Sequence, residues 1–521
     1  MSCRNRSSAA GWRHLPARFA RDERGAFAMM LVVSAIVLIA AAGLAVDYAN
    51  ALNRQSKLQS AVDTAVLAAG SSLTAASTDE EVRDLVERFV NANFNAGGDK
   101  LDLAISINQE TRGVTVTANI DHKLYLMPIV GINRLKLAAT SEVGLGRPYI
   151  ELVLALDNSG SMEGTRMTNL KTSAASLVRD VLALAYQSGD IKIGLVPFAG
   201  MVNVGPGNAG ETWMDRSAIA PIHSENFNQA SNRFSLYDAM KDVSWAGCVE
   251  TRPAPYDVTA AVPDSATPAT LFVPSFAPDE PDTPAASFPY NNYLTDNGGT
   301  CTALPNGAGA AERQKRVCKY ANTTPDQSLY LGTRKGPNFM CDSRPLTPLT
   351  ATAATISSAI TEMQAYGGTN ILEGLMWGWR VLAPGLPFAG ARPYGDRNGN
   401  RKVLVLMTDG ENQYIGWPNT NGSTYSSYGY SAAGRIGSTS NDTATLKQAM
   451  DARTKLACQN AKAAGIDIYT VAWHVSDEPT ITMLRDCATR PTMAAVANSD
   501  TELANFFSAV GGELSRLHLT R

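Results

Sequence analysis

One stretch constrains the chain before anything else does. "GAFAMMLVVSAIVLIAAAGLAV", Gly25 to Val46, runs 22 residues without a charge. As a helix rising 1.5 Å per residue it is about 33 Å long, enough to cross a bilayer. A cleaved signal peptide is the rival reading. Its apolar region would be shorter and would end at a small-residue cleavage site. Ala40-Ala41-Ala42 offers one, but the apolar run continues past it to Val46. Helix-compatible sequence then follows without a break, with Leu52, Leu58, Val62 and Val66 at helical spacing. The expectation is an uncleaved anchor over 25–46, extended as a helix to about residue 72.

Charge supports that reading and gives it a direction. Residues 1–24 carry six arginines against Asp22 and Glu23, a local excess of four positive charges. Arginines before the span and few cations after it place this basic segment in the cytoplasm and the bulk outside. The location expected is the inner (cytoplasmic) membrane, single-pass, with the bulk in the periplasm or cell envelope. The chain as a whole carries only −3, so no nucleic-acid partner is expected. Cysteine usage agrees. Cys3 falls inside, whereas Cys248, Cys301, Cys318, Cys341, Cys458 and Cys487 all fall outside, an even number that an oxidising compartment could pair. Six cysteines allow about 15 pairings, and spacing alone does not choose among them. No C-x-x-C occurs, which disfavours metal binding by these thiols.

At 521 residues the chain is too long for one ordinary core. Residues 47–148 read as a small α+β module. "STDEEVRDLVERFV" starts a helix that Ser77 or Thr78 can cap, and "LDLAISINQ", "GVTVTANID" and "RLKLAATSEVGLG" alternate with period two. From 149 onward the pattern changes. Near-continuous apolar runs at 150–156, 191–198, 402–408 and 466–473 are what parallel strands covered on both faces require. Helical patterns at 165–186, 351–364, 370–382, 444–464 and 500–516 alternate with them. The fold class expected is α/β: an open, mostly parallel sheet with helices on both faces. Residues 199–350 are too long for a connection and hold four cysteines, so a disulfide-containing insertion is expected there.

In such sheets ligands sit beyond the carboxyl ends of the strands. Asp157 ends one strand and is followed by Ser159 and Ser161. Thr369 lies in "GGTN" just before a helix, and Asp409 ends another strand. Two carboxylates and three hydroxyls form a hard-oxygen set suited to Mg²⁺, with Mn²⁺ or Ca²⁺ in its place. No P-loop or G-x-S-x-G motif occurs, so binding rather than catalysis is expected, with a metal-using hydrolase the weakest alternative. Asp157 is expected at a loop mouth, where its removal would leave no core cavity. "DRNGN", 396–400, and Glu411 read as polar loop groups, and His474 as a surface histidine. The Tyr- and Ser-rich stretch 413–440 reads as a solvent loop or, failing that, as contact surface for a partner.

The D-x-S-x-S turn, the distant Thr and the distant Asp resemble the metal-ion-dependent adhesion site of von Willebrand factor A domains. That resemblance covers 149–521. It implies a Rossmann-like domain whose metal, at Asp157, Ser159, Ser161, Thr369 and Asp409, is completed by a carboxylate from a protein ligand. It also places Cys458 and Cys487 beside the same helices and implies that they pair. "RDERGAFAMMLVVSAIVLIAAAGLAVDYANALNRQSKLQSAVDTAVLAAG" resembles the membrane segment of TadE/TadG-like proteins of Flp (tight-adherence) pilus assembly. "GGTNILEGLMWGWRVLAP" and the terminal "SRLHLTR" fit the same family. The resemblance implies a membrane-anchored protein-binding module acting with other pilus-assembly proteins. An envelope adhesin that binds a host or matrix ligand is the alternative. Prepilin-type cleavage after Gly25 would want Glu at the position of Met30, so retention of the anchor is expected.

Overall fold

The computed structural model describes residues 24–72, 78–108, 113–144, 149–185, 187–282, 291–330, 332–395 and 400–515. The basic segment with Cys3, most of the "DRNGN" turn and all but the first residue of "SRLHLTR" lie outside the described residues. The chain divides into two compact units, Met1–Gly146 with Leu517–Arg521, and Arg147–Arg516.

In the first unit a single helix, α1 (Arg24–Ser72), carries the apolar run and continues for 49 residues. That is roughly 74 Å of helix, far more than a bilayer needs. Its first part exposes Phe27, Met29, Leu31, Val33, Val37 and Ile39, as a lipid-facing helix does. Its second part buries Leu58, Val62, Ala65, Val66 and Ala69 against α2 (Asp79–Asn93) and a three-stranded antiparallel sheet, β1 (Leu101–Asn108), β2 (Gly113–Lys123) and β3 (Arg134–Gly144). Thr78 starts α2 with a capping box: the Glu81 N–H donates to its hydroxyl at 3.3 Å, and its own N–H donates to the Glu81 carboxylate at 2.8 Å.

The second unit is built on a six-stranded sheet. Its strands are β4 (Ile150–Asp157), β5 (Ile191–Phe198), β6 (Thr347–Thr350), β7 (Arg401–Thr408), β8 (Ile466–Trp473) and β9 (Ala494–Ala497), in the spatial order β9-β8-β7-β4-β5-β6. Five are parallel, and β6 runs antiparallel at the edge. The pleat sorts β4 between two cores. Leu152, Leu154 and Leu156 face α3 (Thr165–Leu182), α4 (Ala353–Glu362) and α8 (Asp500–Ser515). Val153 and Ala155 face α5 (Ile371–Leu382), α6 (Thr443–Ala463) and α7 (Glu478–Cys487).

Helix α5 is buried at all twelve positions. Gly374 and Gly378 let it lie close on the sheet, because a Cβ at either would come within 2.4 Å of Phe198 or Leu404. Its other side is covered by the insertion, where Phe272 meets Trp377 at 4.9 Å between ring centroids. The insertion has little regular structure, yet it buries Trp213, Phe272, Phe276 and Tyr320. Cys248–Cys341 and Cys301–Cys318 tie it internally. Cys458 of α6 and Cys487 of α7 pair with each other.

Candidate functional site at the strand ends

The chain order places β5 on one side of β4 and β7 on the other, so the connections diverge at the C-terminal ends of β4 and β7. Asp157 is the last residue of β4, and Asp409 follows the last residue of β7. After Asp157 the chain makes a tight turn. The Ser159 N–H donates to Asp157 Oδ1 at 2.8 Å. The Ser159 and Ser161 hydroxyls lie 3.1 Å apart, and Ser161 Oγ donates to Asp409 Oδ1 at 2.6 Å. A continuous hydrogen-bonded chain therefore joins Asp157, Ser159, Ser161 and Asp409, residues separated by about 250 positions in sequence.

Thr369 enters from a third loop. The Gly160 N–H donates to Gly367 O at 2.9 Å, which fixes this loop against the serine turn. The Gln413 N–H donates to Thr369 O at 2.8 Å, and Asn412 Oδ1 accepts from the first N–H of α5 at 2.8 Å. A Cβ on Gly410 would reach 3.3 Å from the Thr369 hydroxyl, so that oxygen sits against the residue after Asp409. All five residues expected from the sequence are thus gathered at one sheet edge. Sequence reasoning passed over three side chains. Thr408 donates its hydroxyl to Asp157 Oδ2 at 2.6 Å. Arg166, on α3, donates to Asp409 Oδ2 at 2.7 Å and to Ser161 O at 3.3 Å. Asn412 joins the Thr369 and Asp409 loops. Thr408 and Arg166 flank motif residues, but nothing in their spacing distinguishes them from ordinary neighbours.

Two expectations need correction. Asp157 stands at the loop as expected but belongs to the interior there: it is wholly buried, at 0% exposure. Burial, and then the charge of Asp409, push its carboxyl up to about 7 from the usual carboxylate range. The 413–440 stretch is neither a solvent loop nor a free contact surface. Tyr414, Tyr425, Tyr428 and Tyr430 are buried. Tyr428 Oη donates to Asp257 at 2.8 Å and Tyr430 Oη to Glu280 at 3.0 Å, both acids of the insertion, and Tyr425 Oη donates to Glu250. His474 is exposed, and Glu411, also exposed, lies 3.5 Å from Lys447.

The donor set is two carboxylates and three hydroxyls with no imidazole or thiolate, which fits a hard divalent cation. A buried carboxylate beside a second one also fits, since a cation between them would offset their repulsion. Among the described residues no group of three or more His, Cys, Asp and Glu side chains is placed to hold a metal. A cation at this edge would therefore rest on hydroxyls as much as on carboxylates.

Residues 25–72 match the model of the Tad family, described as "Putative Flp pilus-assembly TadE/G-like". No curated protein matches the chain. Among solved structures the chain is similar to the vWF domain of the type V pili tip protein Mfa5 from Porphyromonas gingivalis, at 11% identity and a TM-score of 0.32, covering 71% of this chain and 98% of that one. It is similar to the adhesive tip pilin GBS104 from Group B Streptococcus agalactiae, at 10% identity and a TM-score of 0.33, covering 70% and 99%. It is similar also to the pilus adhesin SpaC from Lactobacillus rhamnosus GG, at 12% identity and a TM-score of 0.32, covering 80% of this chain but only 34% of SpaC. The chain thus spans about a third of SpaC's length.

Proposed function

We propose that this chain is a membrane-anchored, extracytoplasmic, metal-dependent protein-binding module acting in Flp pilus assembly. Its second unit is a von Willebrand A domain, and the strand-end cluster is its metal-ion-dependent adhesion site. The observation that carries this reading is the hydrogen-bonded chain from Asp157 through Ser159 and Ser161 to Asp409, closed at the switch point of a mostly parallel sheet. Asp157, Ser159, Ser161, Thr369 and Asp409 would hold Mg²⁺, or Mn²⁺ or Ca²⁺. When bound, the cation supplies a hard Lewis-acid position for a carboxylate of a protein ligand. The protein's own part is to gather neutral hydroxyls around only two acids, which leaves charge for that ligand. The TadE/G-like match over 25–72 and the exposed apolar first part of α1 support anchoring and a pilus setting. The arginines of residues 1–24 support a cytoplasmic start, and three disulfides support an oxidising compartment for the rest.

The test is a chromosomal Asp157→Asn allele, with pili counted by electron microscopy and protein level followed by immunoblot. The expected result is loss of surface Flp pili at an undiminished protein level. Normal pili with lost attachment to host or matrix would instead favour the adhesin reading. Normal pili with normal attachment would overturn both.

A further inference from the structure

The connection between β2 and β3, "LYLMPIVGIN" (124–133), carries no charge. Among the described residues it also exposes four large apolar side chains. Tyr125 is 75% exposed, Ile129 69%, Ile132 46% and Leu126 42%. A soluble module would not leave four such side chains together in water without a use for them.

Its position along α1 indicates that use. Asp47, the residue immediately after the apolar run, accepts hydrogen bonds from the N–H groups of Tyr125, Leu126 and Met127 at 3.1, 2.7 and 2.7 Å. Gly43, three residues inside the run, faces Leu126, and a Cβ there would come within 3.0 Å of Leu126 Cβ. Farther along α1, Gln55 donates to Ala138 O at 3.3 Å and Gln59 to Thr140 O at 3.0 Å. The hairpin therefore runs along α1 with its turn pointing back toward the apolar span. Where α1 leaves the hydrocarbon, the turn is beside it. Just behind the turn stand the exposed cations Lys123, Arg134 and Lys136, of which Arg134 pairs with Asp121 at 3.0 Å. An apolar tip with a Tyr, followed by a collar of Lys and Arg, is the arrangement of a segment that sits in a headgroup layer.

We infer that the β2–β3 turn is a second membrane contact: Tyr125, Leu126, Ile129 and Ile132 enter the lipid interface beside α1, and Asp47 holds them at that depth. The occupant is lipid, not a second copy or a partner protein. The contact would fix the first unit upright on the bilayer instead of letting it swing on one helix. The inference rests on α1 crossing the bilayer, and the experiment separates the two.

The full chain carrying Cys3→Ser is reconstituted in vesicles of phosphatidylethanolamine and phosphatidylglycerol. Single cysteines replace Ile129, Ile132, Val37 or Ser106 and are labelled with an environment-sensitive fluorophore. Val37 lies in the apolar span, and Ser106 is an exposed residue of β1 near the opposite end of the sheet. Lipids with a nitroxide near the headgroup should quench the probes at 129 and 132 by roughly two-fold or more, with blue-shifted emission, and leave 106 unquenched. A probe at 37 should be quenched by nitroxides deeper in the chain. Quenching at 37 with the 129 and 132 probes behaving like 106 overturns the inference and leaves the anchor standing. No quenching at 37 overturns both. Probes at 129 and 132 that are shielded from aqueous iodide yet unquenched by lipid mean that protein covers the turn, which also overturns it.

Discussion

Three of the buried acids of the second unit, Glu250, Asp279 and Asp157, differ in the charge beside them. Glu250, in the insertion, lies between Arg233 and Arg435 and also accepts from Tyr425. Burial pushes its carboxyl up, but the two guanidiniums outweigh burial and hold it below its ordinary value. Asp279 has one cation, Lys319, at 2.7 Å, and there burial wins: its carboxyl is pushed up to about 6. Asp157 has a second carboxylate beside it and rises to about 7. The series orders these sites by how complete each is. The Glu250 cluster contains its own counter-charges and is structural. The strand-end cluster has one partly exposed guanidinium, Arg166, for two acids, which is the imbalance that the proposed cation would offset.

The largest expected effect breaks or upholds this contrast. Glu250→Gln takes the carboxylate from buried Arg233 and leaves Arg435 with Glu225 alone, and should cost about 3 to 5 kcal/mol in denaturant unfolding. Asp157→Asn in EDTA should cost less than about 1 kcal/mol, because it keeps the shape and removes a repulsion. Equal losses for the two variants would end the distinction.

Next in size is the α6–α7 staple. Replacing Cys458 and Cys487 by serine opens a loop of 29 residues. The chain-entropy relation puts the loss at about 3.5 kcal/mol, and thermal melting would read it. Because neither cysteine touches the strand-end cluster, metal uptake by the folded variant should be unchanged.

The insertion also carries a pH effect, at His223. His223 is buried; its Nδ1 accepts from the Arg233 N–H at 3.1 Å, and Nε2 lies 3.0 Å from Asp215 O. That fixes a neutral ring with its proton on Nε2. Burial, and then the Arg233 charge, lower its pKa from 6.5 to about 4. The unfolded chain therefore binds a proton near pH 6.5 that the folded one refuses until about 4. The stability present above 6.5 is lost as pH falls toward 4, by about 3 kcal/mol at most. Denaturant unfolding at several pH values should show the gap between wild type and His223→Gln narrowing over that window. A constant gap would mean that His223 is not held neutral.

How much of this was legible in the sequence follows from what each feature depends on. The four long strands were readable because burial on both faces demands apolar runs, and 150–156 or 402–408 satisfy that locally. β6 and β9 were not: each has four residues, "TPLT" at an edge and "AAVA", too short to carry a pattern. The five cluster residues stand out in the sequence because their spacing resembles a known motif, and the structure brings them to one place. Arg166 and Thr408 do not stand out, since their roles arise only when α3 and β7 meet the serine turn. The Tyr-rich loop was misread for a similar reason. Tyr, Ser, Gly and Asn compose solvent loops and hydrogen-bonded buried loops alike. What decides between them here is Glu250, Asp257 and Glu280, more than a hundred residues earlier.

The smallest expected effect concerns the one cation the cluster already holds. Arg166→Ala removes the guanidinium bonded to Asp409 Oδ2. A partly exposed pair of this kind is worth about 1 kcal/mol or less, so Mn²⁺ affinity should rise by roughly five-fold at most. Weaker binding in this variant would show that Arg166 positions Asp409 and does not compete for it.

Whether the ends of β4 and β7 bind a divalent cation is read by titrating the EDTA-treated, detergent-solubilised full chain with Mn²⁺ and following free Mn²⁺ by electron paramagnetic resonance. Wild type should take up about one ion per chain in competition with Mg²⁺, and a tenfold excess over Kd should stabilise the second unit by about 1.4 kcal/mol. Asp157→Asn should lose the uptake while melting like the metal-free wild type. Uptake by the variant equal to that of the wild type, or none by either, would contradict the claim.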